Sequence, residues 1–146
     1  MEEKTKPFPW MCPTCREKTV SPVQKDYTMV AEHDGASYEV TIPDRVPTCS
    51  RCGQAIITSD LSERINAELR RLAGLLTPER IRAKREALGL TEAHLAAVLR
   101  IPKATLMRWE TGMQLQPRAL DLLLRLYFDS TEVRQACATV LSPAST

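Results

Sequence analysis

"EAHLAAVLRIPKATLMRWETG", residues 92–112, holds two short helical patterns on either side of Arg100-Ile101-Pro102. Thr91 stands where an N-cap belongs, and Ile101-Pro102 forces a turn. In the second pattern Leu106 and Trp109, three apart, form an inner anchor. Lys103, Ala104, Thr105, Met107 and Arg108 make up the rest, a short basic face with no acid before Glu110. Leu95, Leu99, Ile101, Leu106 and Trp109 supply the knobs between the two helices, and Ala96 lets them cross closely. Helix, short turn, helix is the arrangement that lays its second helix in the DNA major groove. The pattern therefore predicts Lys103, Ala104, Thr105, Met107 and Arg108 at a DNA interface. A plain helical bundle with a solvated basic face is the competing reading.

The helical pattern extends on both sides. Thr77-Pro78 opens a helix that Gly89 closes. "QPRALDLLLRLYF" follows the opening stretch, with Arg118, Asp121 and Arg125 as its only wet stripe. "STEVRQACATVL" is a last amphipathic helix. Residues 78–128 thus form a helix-turn-helix unit. The helix at 117–127 is apolar around most of its circumference, which predicts an isologous dimer through Leu120, Leu123, Leu124 and Tyr127 or their neighbours; cover by the last helix is the alternative. Upstream, Leu61, Ile65, Leu69 and Leu72 recur at spacings of 4, 4 and 3, one face of a further helix. Asp60 and Glu63 read as its capping box and Gly74 as its end.

Before residue 60 the character changes to prolines, cysteines and strand-like alternation. "DYTMVAEHDGASYEVTIPD" (26–44) reads as two strands around Asp34-Gly35, a strong hairpin signal. "CPTC" (12–15) and "CSRC" (49–52) are C-x2-C pairs 33 residues apart. Each puts two sulfurs on one tight turn, and four thiolates fill a tetrahedral coordination sphere. Cys12, Cys15, Cys49 and Cys52 are therefore expected to bind one structural Zn²⁺ per chain, stapling a small domain that is marginal without it. Iron and disulfides are the alternatives. Cys137 reads as a small buried hydrophobe, and His33 and His94 as surface residues.

The chain has 146 residues and a formal net charge of +2. Residues 1–60 hold 7 Lys/Arg against 9 Asp/Glu, and residues 61–146 hold 13 against 9. Zinc on four thiolates adds −2 to the front half. An acidic front and a basic back predict two parts with different partners. No run of eighteen apolar residues suggests a membrane span. "MEEKTKPFPWM" is unlike a signal peptide, so the expected location is cytoplasmic. No nucleophile–base pattern and no phosphate-cradling glycine loop point to catalysis, so no enzyme is expected.

"REALGLTEAHLAAVLRIPKATLMRWETG" (85–112) resembles the phage-repressor-like (Xre/Cro) helix-turn-helix family in "LGLT", "LA", "RWE" and the glycine that follows. The resemblance implies base-facing roles for Lys103, Ala104 and Arg108, and a buried ion pair between Arg85 and Glu110. Arg100 stands where the family has a turn glycine, at a cost of about 1 kcal/mol if the backbone is left-handed. Glu92 replaces a DNA-contacting glutamine, and Ala104 replaces a polar reader. The whole order, "CPTC…CSRCG", helix, helix-turn-helix, resembles the MqsA-type antitoxins with their YgiT-type zinc finger over roughly residues 10–140. Arg16 follows Cys15 where that family has glycine.

The expected fold is α+β, a zinc-binding β-hairpin domain followed by an all-α helix-turn-helix bundle. The boundaries are 1–9 for a flexible extension, 10–58 for the zinc domain, 59–76 for a linker helix and 77–146 for DNA binding and dimerisation. The resemblance implies a homodimeric repressor of a palindromic operator on double-stranded DNA, the antitoxin to a ribonuclease toxin held by its N-terminal domain. A stand-alone zinc-containing regulator and a rubredoxin-like electron carrier are the alternatives.

Overall fold

A computed structural model describes residues 6–141. The fold is α+β: an antiparallel three-stranded sheet in the N-terminal part, then six helices. The strands are β1 (Trp10–Met11), β2 (Lys18–His33) and β3 (Ala36–Cys49), in the order β1-β2-β3. Asp34 and Gly35 both take positive φ, 53° and 78°, so the turn between β2 and β3 has the twist a two-residue hairpin needs.

The hairpin is longer than the alternation at 26–44 predicts. Its register runs unbroken from His33–Ala36 to Val20–Cys49, through Pro22 opposite Pro47 and Asp26 opposite Pro43. Two prolines can face each other only where neither residue's N–H is used within the pair, and the Asp26–Pro43 pair has the same parity. The prolines that look like strand breakers sit where the ladder asks nothing of them. The ribbon consequently runs from the turn all the way to the second cysteine pair.

One face of the ribbon is apolar and covered. Val40, Ile42 and Val46 pack with Leu61, Ile65 and Leu69 of α1 (Ser59–Ala73), with Tyr27, Met29, Ala31 and Tyr38 around them. The helix between the two cysteine-rich and helical parts is therefore half of the ribbon's core. Its N-cap is Thr58, whose hydroxyl accepts from the Leu61 N–H at 3.1 Å, so the cap lies ahead of the Asp60–Glu63 box. Asp60 instead sits in the first turn, where the helix dipole favours it. Gly74, in the left-handed conformation, ends the helix. Leu72 is exposed, outside the stripe of its three apolar companions.

The helical half consists of α2 (Pro78–Ala87), α3 (Glu92–Leu99), α4 (Lys103–Thr111), α5 (Arg118–Asp129) and α6 (Thr131–Leu141). Thr77 and Thr91 cap α2 and α3 through their hydroxyls. Leu76, Ile81, Leu95, Ala96, Leu99, Leu106, Trp109, Leu124, Tyr127 and Phe128 form one core, with Ile101, Leu120, Leu123, Val133 and Cys137 packed against it. Leu124 and Tyr127 thus belong to the chain's own interior, which removes them from the expected dimer face. Leu122 and Leu126, one turn apart, are the exposed leucines of α5.

Asp121 is not on a wet stripe. It is buried, and its carboxylate accepts from the Leu76 N–H at 2.8 Å, the Gln116 amide at 3.0 Å and Arg125 Nε at 2.8 Å. Arg125 goes on to the Gly74 carbonyl. A carboxylate at an i, i+4 distance from arginine looks like a surface pair in sequence, but here it satisfies the loop between α1 and α2.

The two halves also meet at the hairpin turn. His33 Nε2 donates to the Gln116 carbonyl at 2.9 Å, and the Arg118 N–H donates to Asp34 Oδ2 at 2.9 Å. The residue at the N-cap of α5, Pro117, offers no side-chain cap. Asp34 supplies that cap from the other half of the molecule. Leu115 packs into the ribbon's core and Arg70 donates to the Gln114 carbonyl, so residues 114–118 are held from the ribbon side. His33 is accordingly a junction residue and not a free surface one; His94 is exposed.

Candidate metal centre and nucleic-acid interface

The far end of the ribbon brings the two cysteine pairs together. "CPTC" lies in the turn between β1 and β2, and "CSRC" begins on the last residue of β3. The Sγ atoms of Cys12, Cys15, Cys49 and Cys52 all lie within 4.8 Å of one another. Cys12 and Cys52 are 3.7 Å apart, Cys15 and Cys49 3.9 Å. A tetrahedron with metal–sulfur bonds of about 2.3 Å has edges of about 3.8 Å. Those separations exclude disulfides between the paired atoms and suit one metal ion.

The two turns are built alike. The Arg16 N–H bonds the Cys12 carbonyl at 2.8 Å, and the Gly53 N–H bonds the Cys49 carbonyl at 2.9 Å. The Cys15 and Cys52 amides each point at the sulfur three residues back, at 3.5 Å. Arg16 and Gly53, which follow the second cysteine of each pair, both have positive φ, 58° and 75°. Arginine accepts there the strain that glycine avoids, about 1 kcal/mol. Amides aimed at sulfur stabilise thiolate, and they do so in both turns.

Thr19 completes the surroundings. Its hydroxyl lies 3.0 Å from Cys49 Sγ. That contact and the Cys52 and Arg51 amides pull the Cys49 thiol down to about 6. Cys15 is pushed up to about 12, first by its contact with the Cys52 sulfur, then by burial and the remaining cysteines. Thr14 and Gln54 join the two turns by a side-chain hydrogen bond, and Arg51 and Glu17 by an ion pair. Nothing in the sequence marks Thr19, which reaches the site through strand pairing alone.

In the helical half the predicted reader is ordered around one helix. Leu106, Trp109 and Glu110 are buried; Lys103, Ala104, Met107 and Arg108 are exposed, and Thr105 is half-buried. At about 100° per residue, the four exposed positions span roughly 140° of α4 and the three buried ones roughly 100° on the other side. The split leaves one continuous outward face. Thr105 lies off it, toward the core side.

α4 is held in place by the ion pair that the resemblance implied. Arg85 Nε donates to Glu110 Oε1 at 2.6 Å, both side chains being buried. A second nitrogen of Arg85 bonds the Leu90 carbonyl at 2.8 Å, so one guanidinium ties α2, the turn before α3 and α4. Burial pushes the Glu110 carboxyl up and Arg85 pulls against it, while Glu110 holds the Arg85 guanidinium firmly charged. Glu92 stands 3.9 Å from Arg85, so its carboxylate adds to this internal pairing. Arg100 adopts φ 56° and ψ 42°, the left-handed turn that glycine normally takes. The Ile101 N–H then reaches the Ala96 carbonyl at 3.0 Å and closes α3.

Among the described residues no helix is long and apolar enough to cross a membrane. The chain matches no protein-family model and no curated protein.

Proposed function

We propose that the chain is a zinc-stapled, sequence-specific DNA-binding repressor acting as a homodimer. The observation that carries this reading is the outward face of α4, where Lys103, Ala104, Met107 and Arg108 stand together on a helix anchored by Trp109 and the Arg85–Glu110 pair. Arg108 suits guanine, whose O6 and N7 take both prongs of the guanidinium, a contact worth about 1–3 kcal/mol of discrimination. Ala104 and Met107 offer apolar contact to a thymine methyl, and Lys103 a base edge or phosphate.

Four sulfurs at tetrahedral spacing favour a closed structural Zn²⁺ site with no open position. Leu122 at 58% exposure and Leu126 at 46% on α5, with Val140 at 70% on α6, favour a second copy as their cover. Such a dimer sets two α4 helices about 34 Å apart and calls for a palindromic operator. The resemblance to MqsA-type antitoxins extends the proposal to a ribonuclease toxin bound by the N-terminal part. Co-purification with the product of the neighbouring gene tests that extension.

The test of the reader is a binding series over all single-base variants of the operator at two salt concentrations. Arg108→Ala is expected to weaken binding at least about tenfold and to flatten preference at one base pair per half-site. An unchanged preference profile and affinity would rule out α4 as the reader. Elemental analysis and colour separate zinc from iron: a ferric tetrathiolate is red and the zinc protein colourless.

A further inference from the structure

Arg85 faces more than one acid. Its Nε donates to Glu110 Oε1 at 2.6 Å, while its Nη2 stands 3.8 Å from Glu86 and 3.9 Å from Glu92. Its Nη1 is taken by the Leu90 carbonyl. Three carboxylates thus gather on the Nε–Nη2 side of one guanidinium, whose single charge balances one of them. Glu110 is gripped by one prong, and its Oε2 is buried with no donor. Arg82, also on α2, donates to the Glu110 main-chain carbonyl at 3.4 Å and leaves that oxygen unserved. The Glu110 side chain is 1% exposed, that of Glu92 29% and that of Glu86 63%. Water therefore solvates Glu86 well, Glu92 in part and Glu110 hardly at all.

The Glu110 carboxyl is in hydrogen-bond contact with that of Glu92. Two carboxylates are both acceptors, so such a contact holds only if one of them carries a proton. Close like charges also resist ionising together. Burial pushes the Glu110 carboxyl up, and Glu92 adds to this against the pull of Arg85. We propose that Glu92 and Glu110 share one proton, a latch that holds α3 on α4 and opens as pH rises. With the proton in place, one acid donates to the other and the cluster carries one negative charge less. When the proton leaves, the two carboxylates repel, and Glu92, the more exposed, turns to water. The stabilisation is complete below the ordinary carboxylate range and is lost as pH rises through the raised value of the folded pair. Glu68, Asp129 and Glu132, held low by their partners, act in the opposite sense and lose their contribution as pH falls. A comparison between variants at one pH therefore isolates the latch. It sets how firmly α3 is held against α4, whatever α4 contacts.

The experiment follows the side-chain carboxyl carbon of Glu110 by NMR in the full metal-loaded chain, titrated downward from about pH 8. Its midpoint should lie above the ordinary value of 4.5. Glu92→Gln puts a permanent amide donor in place of the proton, so the midpoint should fall. Amide exchange in α4 should be about tenfold slower in that variant than in the parent at the upper end of the range, and the difference should shrink as pH falls. Glu86→Gln removes a carboxylate equally close to Arg85 and should move the midpoint less. Glu86 and Glu92 both reach water, so neither substitution empties a core site. The proposal is overturned if the parent midpoint lies at or below 4.5, or if Glu92→Gln leaves it in place. It is equally overturned if Glu86→Gln lowers the midpoint as far as Glu92→Gln does, or if α4 exchanges alike in parent and Glu92→Gln at every pH.

Discussion

At the cysteine end of the ribbon the apolar cluster is small: Cys12, Val20 and Cys49 are buried together, with Trp10, Cys15 and Ile56 around them. The helical half instead buries Trp109, Leu76, Ile81, Leu95, Leu106 and Leu124 almost completely, in one contiguous cluster. The cysteine end buries little apolar surface of its own, and its four sulfurs are spaced to take a metal ion. The helical half carries a contiguous apolar core of its own and takes from the ribbon only the contacts at residues 114–118. Between them, α1 and the hairpin turn join the cysteine end to the helical half, so one end of the ribbon carries the candidate metal site and the other is anchored to residues 114–118.

Removing the metal should break the comparison most sharply. Loss of a four-thiolate site forfeits on the order of 10 kcal/mol of binding free energy. Chelation or Cys49→Ser is expected to abolish amide protection around 10–20 and 45–56, while α1 to α6 keep theirs. Hydrogen exchange read by NMR checks this, and equal loss in the helices would show that the two ends are one cooperative unit. Trp109→Ala should do the opposite. It empties a core site for about 4 kcal/mol, leaving metal content unchanged, which denaturant unfolding and elemental analysis report together.

Arg85→Met leaves Glu110 buried beside no cation and should cost about 3 kcal/mol. Adding Glu110→Leu should recover most of that loss, since the pair then leaves no stranded charge. A double-mutant cycle in denaturant measures the recovery. Asp34→Gly keeps the positive φ of the turn and deletes the cap on α5. About 1 kcal/mol should be lost, and the transitions of the ribbon and the helices should move apart in a thermal melt. Arg100→Gly has the smallest expected effect, a gain of at most about 1 kcal/mol from relieving the left-handed backbone. Calorimetry should place its midpoint at or slightly above the parent's.

The legible parts share a physical feature: each depends on residues close together in the chain. Thr77-Pro78, Thr91 and Gly74 mark helix ends because capping is settled within one turn. The C-x2-C spacing announces its turns for the same reason. The misreadings are the complement. Asp121 looks wet on a helical wheel, and only the loop folded against it makes it a buried acceptor. Pro22, Pro43 and Pro47 look like breaks until the register shows which N–H groups the ladder uses. Leu124 and Tyr127 look available for a partner until the helical core takes them in.

From the sequence alone came the α+β order, the four sulfur ligands, the two-residue hairpin turn and the inner and outer sides of α4. These follow from local spacing, and the helical period alone separates Leu106 and Trp109 from Lys103 and Arg108. Tertiary structure alone decided that α1 is half of the ribbon's core, that Thr19 serves Cys49, that Asp34 caps α5 and that Arg70 is buried. Each of those depends on the distance between groups 30 or more residues apart or on what surrounds a side chain, as in the Thr19–Cys49 and Asp34–Arg118 contacts. Such distances are set only when the apolar faces of ribbon and helices close on one another, because burial carries no information about which polar groups it will bring into reach.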